Sequence, residues 1–223
     1  MSIQDNLATL KDRIEKACER VDRDPEEITI IGVTKYVSNE RAKELLEAGI
    51  VDIGENRTEE MLEKYDAIGD DANWHFIGTL QSRKVRDIIG KVKMIHSLER
   101  ESVARQINNR SDEVIPCFVQ VNVSGEETKH GLTPDEVEDF IQTLAPYEKV
   151  KVVGLMTMAP HTDDEEEIRD VFRQLRTLRD DIKEKGYLHA PCDYLSMGMS
   201  NDFEIAIEEG ATHLRIGSIL VGS

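Results

Sequence analysis

The feature that most constrains the fold of this chain is a regular alternation of short apolar runs with stretches of helical period. The apolar runs of strand length lie at 28–34, 51–54, 74–78, 92–97, 115–123, 150–158, 194–197 and 212–216. Helical patterns follow them at 39–48, 58–68, 82–89, 99–109, 133–146, 164–185 and 202–209. Strands that alternate with helices form right-handed crossovers and a parallel sheet, and eight such units close a barrel. The pattern therefore predicts the α/β class and a single (β/α)8 barrel.

Both ends of the chain depart from this repeating pattern. Apolar residues over 3–21 recur at helical spacing before the first strand, which predicts an extra amino-terminal helix. The chain stops at Ser223, directly after the eighth strand, so little room is left for a final helix. We expect the amino-terminal helix to cover part of that gap. With 223 residues and no linker or low-complexity tract, the chain is expected to form one domain over 1–223.

Composition argues against several classes of function. The formal net charge of −17 repels a phosphate backbone over most of the surface, which disfavours nucleic acid as a partner. No apolar run is long enough to cross a membrane, and the amino terminus lacks the features of a secretory signal, so we expect a cytoplasmic protein. Cysteine and histidine spacing matches neither a disulfide framework nor a metal site, which leaves Cys18, Cys117 and Cys192 as reduced structural thiols.

A lysine marks the carboxyl end of the first predicted strand, the edge at which barrels of this kind build their active sites. Lys35 closes the segment 32–35. A lysine drawn into a partly dry pocket loses part of its preference for the charged form, and the neutral amine can attack an aldehyde to form a Schiff base. The alternative interpretation is an ordinary solvated lysine at a strand end.

Two segments rich in glycine and serine follow the seventh and eighth strands, at 196–200 and 215–218. Loops at these positions frequently form the phosphate site of such barrels, because glycine lets backbone N–H groups approach an anion and serine adds hydroxyl donors. The competing interpretation is structural. In that case Ser200 or Asn201 caps the helix at 202–209, and Gly198 and Gly217 only satisfy tight turns.

Six separated segments, taken in order, carry a family resemblance. They are Thr-Lys at 34–35, Ile-Gly-Glu-Asn-Arg at 53–57, Trp-His-Phe-Ile-Gly-Thr-Leu-Gln at 74–81, Gly-Leu-Met-Thr-Met at 154–158, Leu-Ser-Met-Gly-Met-Ser at 195–200 with Asp202, and Leu-Arg-Ile-Gly-Ser at 214–218. Together they resemble the pyridoxal phosphate homeostasis protein family, whose barrel is that of the alanine racemase amino-terminal domain. The chain departs from the family pattern at its end, where the tail 220–223 is short and lacks the usual arginine or tyrosine.

The resemblance implies pyridoxal 5′-phosphate as the cofactor, held by Lys35 as a Schiff base, with Asn56 and Arg215 beside its ring. It also implies phosphate contacts from the two loops, namely from Ser196, Met199, Ser200, Gly217 and Ser218. Lys129 matches a lysine-x-glycine segment of the family and is a candidate secondary contact. Members of the family are thought to hold the vitamin B6 cofactor and to balance its free level and delivery. Apo-enzymes that depend on this cofactor would then be transient partners.

The rival hypothesis is an enzyme that uses the same cofactor, a racemase or a decarboxylase. Enzymes of the racemase type need a second acid/base, a tyrosine from an added β domain, and the chain ends before such a domain. None of its five tyrosines can be placed opposite Lys35 from the sequence. An arginine that donates to the pyridine nitrogen would also keep the ring a poor electron sink. A lysine-dependent aldolase is a third hypothesis and would need an acid/base beside Lys35. The sequence therefore favours a cofactor carrier without catalysis.

Overall fold

The computed structural model describes residues 2–222, and in this range eight parallel strands form a closed barrel. The strands are β1 (Thr29–Val33), β2 (Asp52–Glu55), β3 (Asn73–Phe76), β4 (Val92–Leu98), β5 (Ile115–Gln120), β6 (Val150–Met156), β7 (Tyr194–Ser196) and β8 (His213–Ile216). Each strand pairs with the next one along the chain, and β8 closes the barrel against β1, where Ile30 lies opposite Leu214. The predicted (β/α)8 barrel is confirmed.

Helices connect the strands and cover the outside of the barrel. They are α1 (Ile3–Glu19), α2 (Asn39–Glu47), α3 (Thr58–Ile68), α4 (Val85–Ile88), α5 (Glu101–Arg110), α6 (Val137–Thr143), α7 (Glu165–Glu184), α8 (Phe203–Glu208) and α9 (Ser218–Val221). Two predicted helices begin with a 3-10 turn, Ser82–Lys84 before α4 and Pro134–Glu136 before α6. Across residues 2–222, no helix combines the length and the apolar character that a membrane crossing requires.

Two strands end earlier than their apolar runs predict. The fifth apolar run continues to residue 123, but β5 ends at Gln120. The amide of Val121 still donates to the carbonyl of Met156 at 2.8 Å, and Val121 forms an isolated bridge with Leu132. The sixth run continues to residue 158, whereas β6 ends at Met156. An apolar side chain can be buried in a loop that folds over the barrel as well as in a strand, so hydrophobicity alone does not mark the end of the ladder.

The main core lies between the barrel and its helices. The helix α7 illustrates how it forms, because its buried residues recur every three or four positions and make one apolar stripe: Ile168, Val171, Phe172, Leu175 and Ile182. Asp164 caps this helix by accepting a hydrogen bond from the amide of Glu166 at 3.0 Å, so the acidic run 163–167 is a helix start. Burial of a leucine of this kind stabilises the fold by about 2 kcal/mol.

The barrel interior contains a smaller apolar cluster formed by strand residues alone. Phe118, Val153 and Met156 are buried in it, and Met94 packs against them. The three cysteines are buried free thiols, as predicted, and burial raises the pKa of Cys192 to about 12. These thiols are therefore inert packing groups.

The amino-terminal helix covers the place where the last crossover helix would lie. Asn6 of α1 donates from Nδ2 to the carbonyl of Leu220 in α9 at 3.0 Å. The guanidinium of Arg13 lies 4.6 Å from the ring centroid of Phe203 in α8. These contacts confirm that α1 closes the gap beside the short α9.

Candidate functional site

The predicted site residues come together at the carboxyl ends of neighbouring strands. In the closed barrel β7, β8, β1 and β2 are consecutive neighbours. Ser196 ends β7, Arg215 lies near the end of β8, Lys35 follows β1 and Asn56 follows β2. Because parallel strands present their carboxyl ends at one edge, these residues share one side of the barrel mouth. The loops after β7 and β8 bring the remaining predicted residues to the same side: Met199, Ser200, Gly217 and Ser218.

The loop after β7 is packed tightly at Gly198. The φ of this glycine is +102°, and a Cβ there would lie 2.7 Å from the Cβ of Ala206 in α8. Its carbonyl accepts a hydrogen bond from the amide of Arg215 at 3.0 Å, which ties the loop to β8. At Gly217 a Cβ would lie 3.7 Å from that of Val33, an ordinary contact. The structural interpretation of these glycines therefore explains Gly198, where the turn is tightly packed. It does not explain Gly217, where a side chain would fit.

These two loops carry backbone amides that the protein itself does not use. Among the described residues, the amides of Ser200, Asn201, Gly217 and Ser218 donate no hydrogen bond to another backbone group. Unpaired N–H groups that cluster in neighbouring loops are typical of an anion site, because each can donate to a phosphate or carboxylate oxygen.

Asp202 occupies the N-cap position of α8, which begins at Phe203. The alternative interpretation, in which Ser200 or Asn201 caps this helix, is wrong, because both residues lie in the turn before it. The Asp202 carboxylate instead accepts a hydrogen bond from the amide of Met199 at 2.7 Å and shapes that turn. Burial raises the pKa of Asp202, and the Met199 amide and the charge of Arg215 only partly oppose this rise.

Arg215 places a buried positive charge beside the loops. Its guanidinium donates from Nη1 to Oγ of Ser196 at 2.6 Å and from Nη2 to the carbonyl of Thr157 at 3.0 Å. Both acceptors are neutral, so these bonds leave the charge uncompensated. Burial lowers the pKa of Arg215 to about 10, although the charge of Asp202 acts in the opposite direction. A buried cation held by neutral acceptors attracts an electron-rich ligand atom.

Lys35 is more exposed than expected. The side chain is solvent-exposed, and its Nζ lies 5.9 Å from the ring centroid of Tyr36. The expected partly dry environment is wrong for this side chain, because β1 ends at Val33 and the lysine stands on the following turn. Tyr36 has a φ of +64°, a left-handed conformation that is uncommon for a bulky residue. The amine is therefore reachable from solvent and is held by a strained turn.

Sequence reasoning missed a buried ion pair that anchors this turn. The carboxylate of Glu55, at the end of β2, accepts a hydrogen bond from Oγ1 of Thr34 at 2.5 Å and pairs with Nζ of Lys64 at 2.8 Å. Burial raises the pKa of Glu55, and the bonds from Lys64 and Thr34 oppose the rise without cancelling it. Because Thr34 directly precedes Lys35, the pair sets the direction of the turn. A lysine on the buried face of α3 was the signal in the sequence.

Asn56 and Lys129 differ in how the protein uses their polar atoms. Oδ1 of Asn56 is buried and has no hydrogen-bond partner among the described residues, so it is available to a ligand. Nζ of Lys129 donates to the carbonyl of Ala159 at 2.9 Å and pairs with Glu126 at 2.6 Å. The predicted secondary contact from Lys129 would have to compete with these bonds.

The buried histidines of β3, β4 and β8 are hydrogen-bonded. Nδ1 of His75 lies 2.9 Å from Nε2 of His96, and Nδ1 of His213 lies 2.8 Å from Oγ1 of Thr212. The sequence assigned no role to His96, although its Nδ1 lies 2.8 Å from Oγ of Ser196. The signal was a polar residue inside the apolar run of β4. Within the part of the chain that the structure describes, no three His, Cys, Asp or Glu side chains are grouped to hold a metal ion.

The alanine racemase N-terminal domain is the protein family whose sequence profile matches this chain, over residues 5–223. A pyridoxal phosphate homeostasis protein from Aquifex aeolicus is 43% identical over 226 residues, which cover 100% of this chain and 98% of that protein. The protein of the same description from Escherichia coli strain K12 is 33% identical and covers 99% of this chain and 96% of its own length.

Solved structures show the same similarity in three dimensions. PipY of Synechococcus elongatus, described with pyridoxal phosphate bound, superposes with a TM-score of 0.85 at 28% identity and covers 99% of this chain and 100% of its own. An alanine racemase from Clostridium difficile 630 superposes with a TM-score of 0.76 at 21% identity. It covers 97% of this chain but 56% of its own, so the shared part of that enzyme is the barrel.

Proposed function

This chain belongs to the alanine racemase N-terminal domain family and, within it, to the pyridoxal phosphate homeostasis proteins, and on this premise we propose that it holds pyridoxal 5′-phosphate on Lys35 and keeps the cofactor available to other proteins. One observation carries the proposal. Unpaired amides in two loops, a buried arginine and an accessible amine converge at the ends of four adjacent strands.

The chemistry of these donors fits each part of the cofactor. The amides of Ser200, Asn201, Gly217 and Ser218, with the serine hydroxyls, suit a phosphate group. Arg215 carries a positive charge that no carboxylate neutralises by direct contact among the residues described, and it suits the electron pair of a ring nitrogen. The unpartnered Oδ1 of Asn56 suits a hydroxyl on the same ring. The predicted contacts from Ser196 and Met199 would have to compete with bonds inside the protein, because the Ser196 hydroxyl is bonded to Arg215 and His96 and the Met199 amide donates to Asp202.

Lys35 is the group that would make the attachment covalent. Lys35 would hold the cofactor through its amine, because the bound group would supply an aldehyde with which a lysine can form a Schiff base. The ion pair of Glu55 with Lys64 holds Thr34 and thereby fixes the turn that presents the amine. The exposure of Lys35 suits release as well as capture, because water and incoming amines can reach the attachment point from solvent. Exchange with apo-enzymes in the cytoplasm is the corresponding biological role.

The same geometry argues against efficient catalysis. Tyr36 directly follows Lys35 in the chain and is 75% exposed, so it does not face the lysine across a bound ring. An arginine at the ring nitrogen also disfavours protonation of the ring, which carbanion chemistry needs. Turnover of any amino acid by the loaded protein near the ~10 s⁻¹ typical of enzymes would instead support a racemase or decarboxylase.

Borohydride trapping tests the attachment. We expect the protein to become yellow with pyridoxal 5′-phosphate, and reduction should fix one cofactor on the peptide that contains Lys35, as read by mass spectrometry. Lys35→Ala should remove both the colour and the label, while Lys129→Ala, at another lysine of the mouth, should keep them. Pyridoxal without phosphate should bind at least about tenfold more weakly, because the loop amides lose their ligand. A label on another lysine, or equal affinity for the two compounds, would refute the proposed site.

A further inference from the structure

A continuous chain of hydrogen-bonded side chains crosses the interior of the barrel. Oδ1 of Asp52 lies 2.9 Å from Nε2 of His75, whose Nδ1 lies 2.9 Å from Nε2 of His96. Nδ1 of His96 lies 2.8 Å from Oγ of Ser196, which accepts from Nη1 of Arg215 at 2.6 Å. Asp52 is the first residue of β2 and its side chain is 26% exposed, whereas the four other residues are buried. The chain therefore links the amino-terminal face of the barrel to the site at its mouth.

The hydrogen bonds of this chain have a single consistent direction when both imidazoles are neutral. Arg215 has only donors, so Oγ of Ser196 accepts from it, and the Ser196 hydroxyl then donates to Nδ1 of His96. With Nδ1 as the acceptor, His96 carries its proton on Nε2 and donates to Nδ1 of His75. His75 likewise carries its proton on Nε2 and donates to the carboxylate of Asp52. In this arrangement every hydrogen bond along the chain has one donor and one acceptor.

The opposite tautomer of His96 would break this order. A proton on Nδ1 of His96 would leave the Ser196 hydroxyl without an acceptor among the described residues. His75 would then have to donate from Nδ1, and its Nε2 lone pair would face the Asp52 carboxylate unless the pair took up another proton. Like-charged and lone-pair contacts of this kind are costly in a buried site.

The surroundings favour neutral His96 and ionised Asp52. Burial lowers the pKa of His96 well below its usual value, and the positive charge of Arg215 acts in the same direction. Burial alone would raise the pKa of Asp52, but the hydrogen bonds from His75 and Asn73 help to lower it overall. The ring of Phe118 stacks on His96 with centroids 4.5 Å apart, which restrains the imidazole from turning over.

We propose that Asp52, His75 and His96 are positioning residues of the cofactor site. Asp52 selects the tautomers of both histidines, and through them it directs the Ser196 hydroxyl and holds the guanidinium of Arg215. Asp52 begins β2 and Asn56 directly follows it, so this strand spans roughly 13 Å between the amino-terminal face and the cofactor site. The effect on the cofactor rests on the function proposed above, whereas the tautomer assignment does not depend on it.

Nitrogen-15 NMR of the imidazoles, in protein prepared without cofactor, tests the assignment directly. We expect the wild type to show His75 and His96 both protonated at Nε2. Asp52→Asn should keep this pattern, because the amide oxygen still accepts from His75, and Asp52→Leu should give mixed tautomers at both rings. A wild-type His96 protonated at Nδ1, or tautomers that are unchanged in Asp52→Leu, would overturn the proposal.

Equilibrium titration with pyridoxal 5′-phosphate tests the consequence for the site. Asp52→Leu and His96→Phe should each weaken binding about tenfold, and Asp52→Asn should bind within about threefold of the wild type. His213→Gln is the matched control, because His213 is a buried neighbour that bonds Thr212 and stands outside the chain. A folded Asp52→Leu that binds like the wild type would refute the positioning role. Failure of the wild type itself to bind would refute the proposed function and leave the NMR result as a separate test.

Discussion

Tyr36 has a backbone conformation that its side chain disfavours. It lies in the left-handed region with a φ of +64°, next to the lysine that we propose as the point of attachment. Left-handed backbone costs a residue with a Cβ about 1–2 kcal/mol relative to glycine. Strain of this size is retained where the surrounding structure imposes it. Here the turn is held by the Glu55 carboxylate, which accepts a hydrogen bond from Thr34 and pairs with Lys64.

Replacement of Tyr36 separates the strain from the aromatic ring. Tyr36→Gly should raise the free energy of unfolding by about 1 kcal/mol, because glycine adopts this φ without cost. Tyr36→Ala keeps the strain, removes the ring and should give no such gain. Urea unfolding of the three proteins measures the difference. Equal stabilities for the glycine and alanine variants would show that the turn is not strained.

The loop between β7 and α8 is the element on which the phosphate site depends. Gly198 brings the backbone of this loop against Ala206 and Phe203 of α8, and the carbonyl of Gly198 is bonded to the amide of Arg215. The amides of Ser200 and Asn201 follow in the same turn, so any displacement at Gly198 moves them. The position of the helix and the position of the donors are therefore coupled.

Gly198→Ala should destabilise the protein by about 2–4 kcal/mol, since the new Cβ meets both an unfavourable φ and atoms of α8. It should also weaken the binding of pyridoxal 5′-phosphate more than the binding of pyridoxal, because the amides that donate to the phosphate are displaced. Gly49→Ala is a matched control. Gly49 has a φ of +97° but open space at its Cβ position, so the control carries the backbone cost without the collision. Thermal unfolding measures the loss of stability, and equilibrium titration measures the loss of affinity. Equal losses of stability and affinity in both variants would exclude a role for packing at Gly198.

At the scale of the whole molecule, buried neutral histidines link stability to pH. Burial lowers the pKa of His213 to about 4 and that of His96 well below 6.5. Both histidines bind a proton readily only after unfolding. Between pH 6.5 and 4 the unfolded chain therefore holds more protons than the folded one, so stability rises with pH and is lost as the pH falls through this window.

Each of these histidines should add a slope that approaches about 1.4 kcal/mol per pH unit below pH 6.5. Free energies of unfolding measured in urea between pH 7.5 and 5 should fall steeply in the wild type and about half as steeply in His213→Gln. His161→Gln, at an exposed histidine, should keep the wild-type slope. The same slope in all three proteins would mean that His213 is not buried in its neutral form.

Sequence and structure contribute differently to the candidate site. The residues at the strand ends could be predicted because eight strands in register must present their carboxyl ends together, so Lys35, Asn56 and Arg215 meet at the mouth whatever their neighbours are. Residue chemistry likewise indicated an anion site in the two glycine- and serine-rich loops. The exposure of Lys35 and the N-cap at Asp202 could not be predicted. The first depends on the residue at which β1 ends and the second on the residue at which α8 begins, and the sequence pattern does not fix either to within two residues.

The sequence by itself determined the period of the pattern, and with it the barrel, the extra helix α1 and the edge that carries the site. These follow from local hydrophobic spacing, which acts within one element and its immediate neighbours. Only the tertiary structure decided which polar atoms meet inside the barrel. His96 and Ser196 are 100 residues apart in the chain and are joined by one hydrogen bond of 2.8 Å, and Asp52 enters the same network from the other end of β2. Hydrogen bonds require distances correct to a few tenths of an ångström, and closure of the barrel is what brings such distant side chains that close.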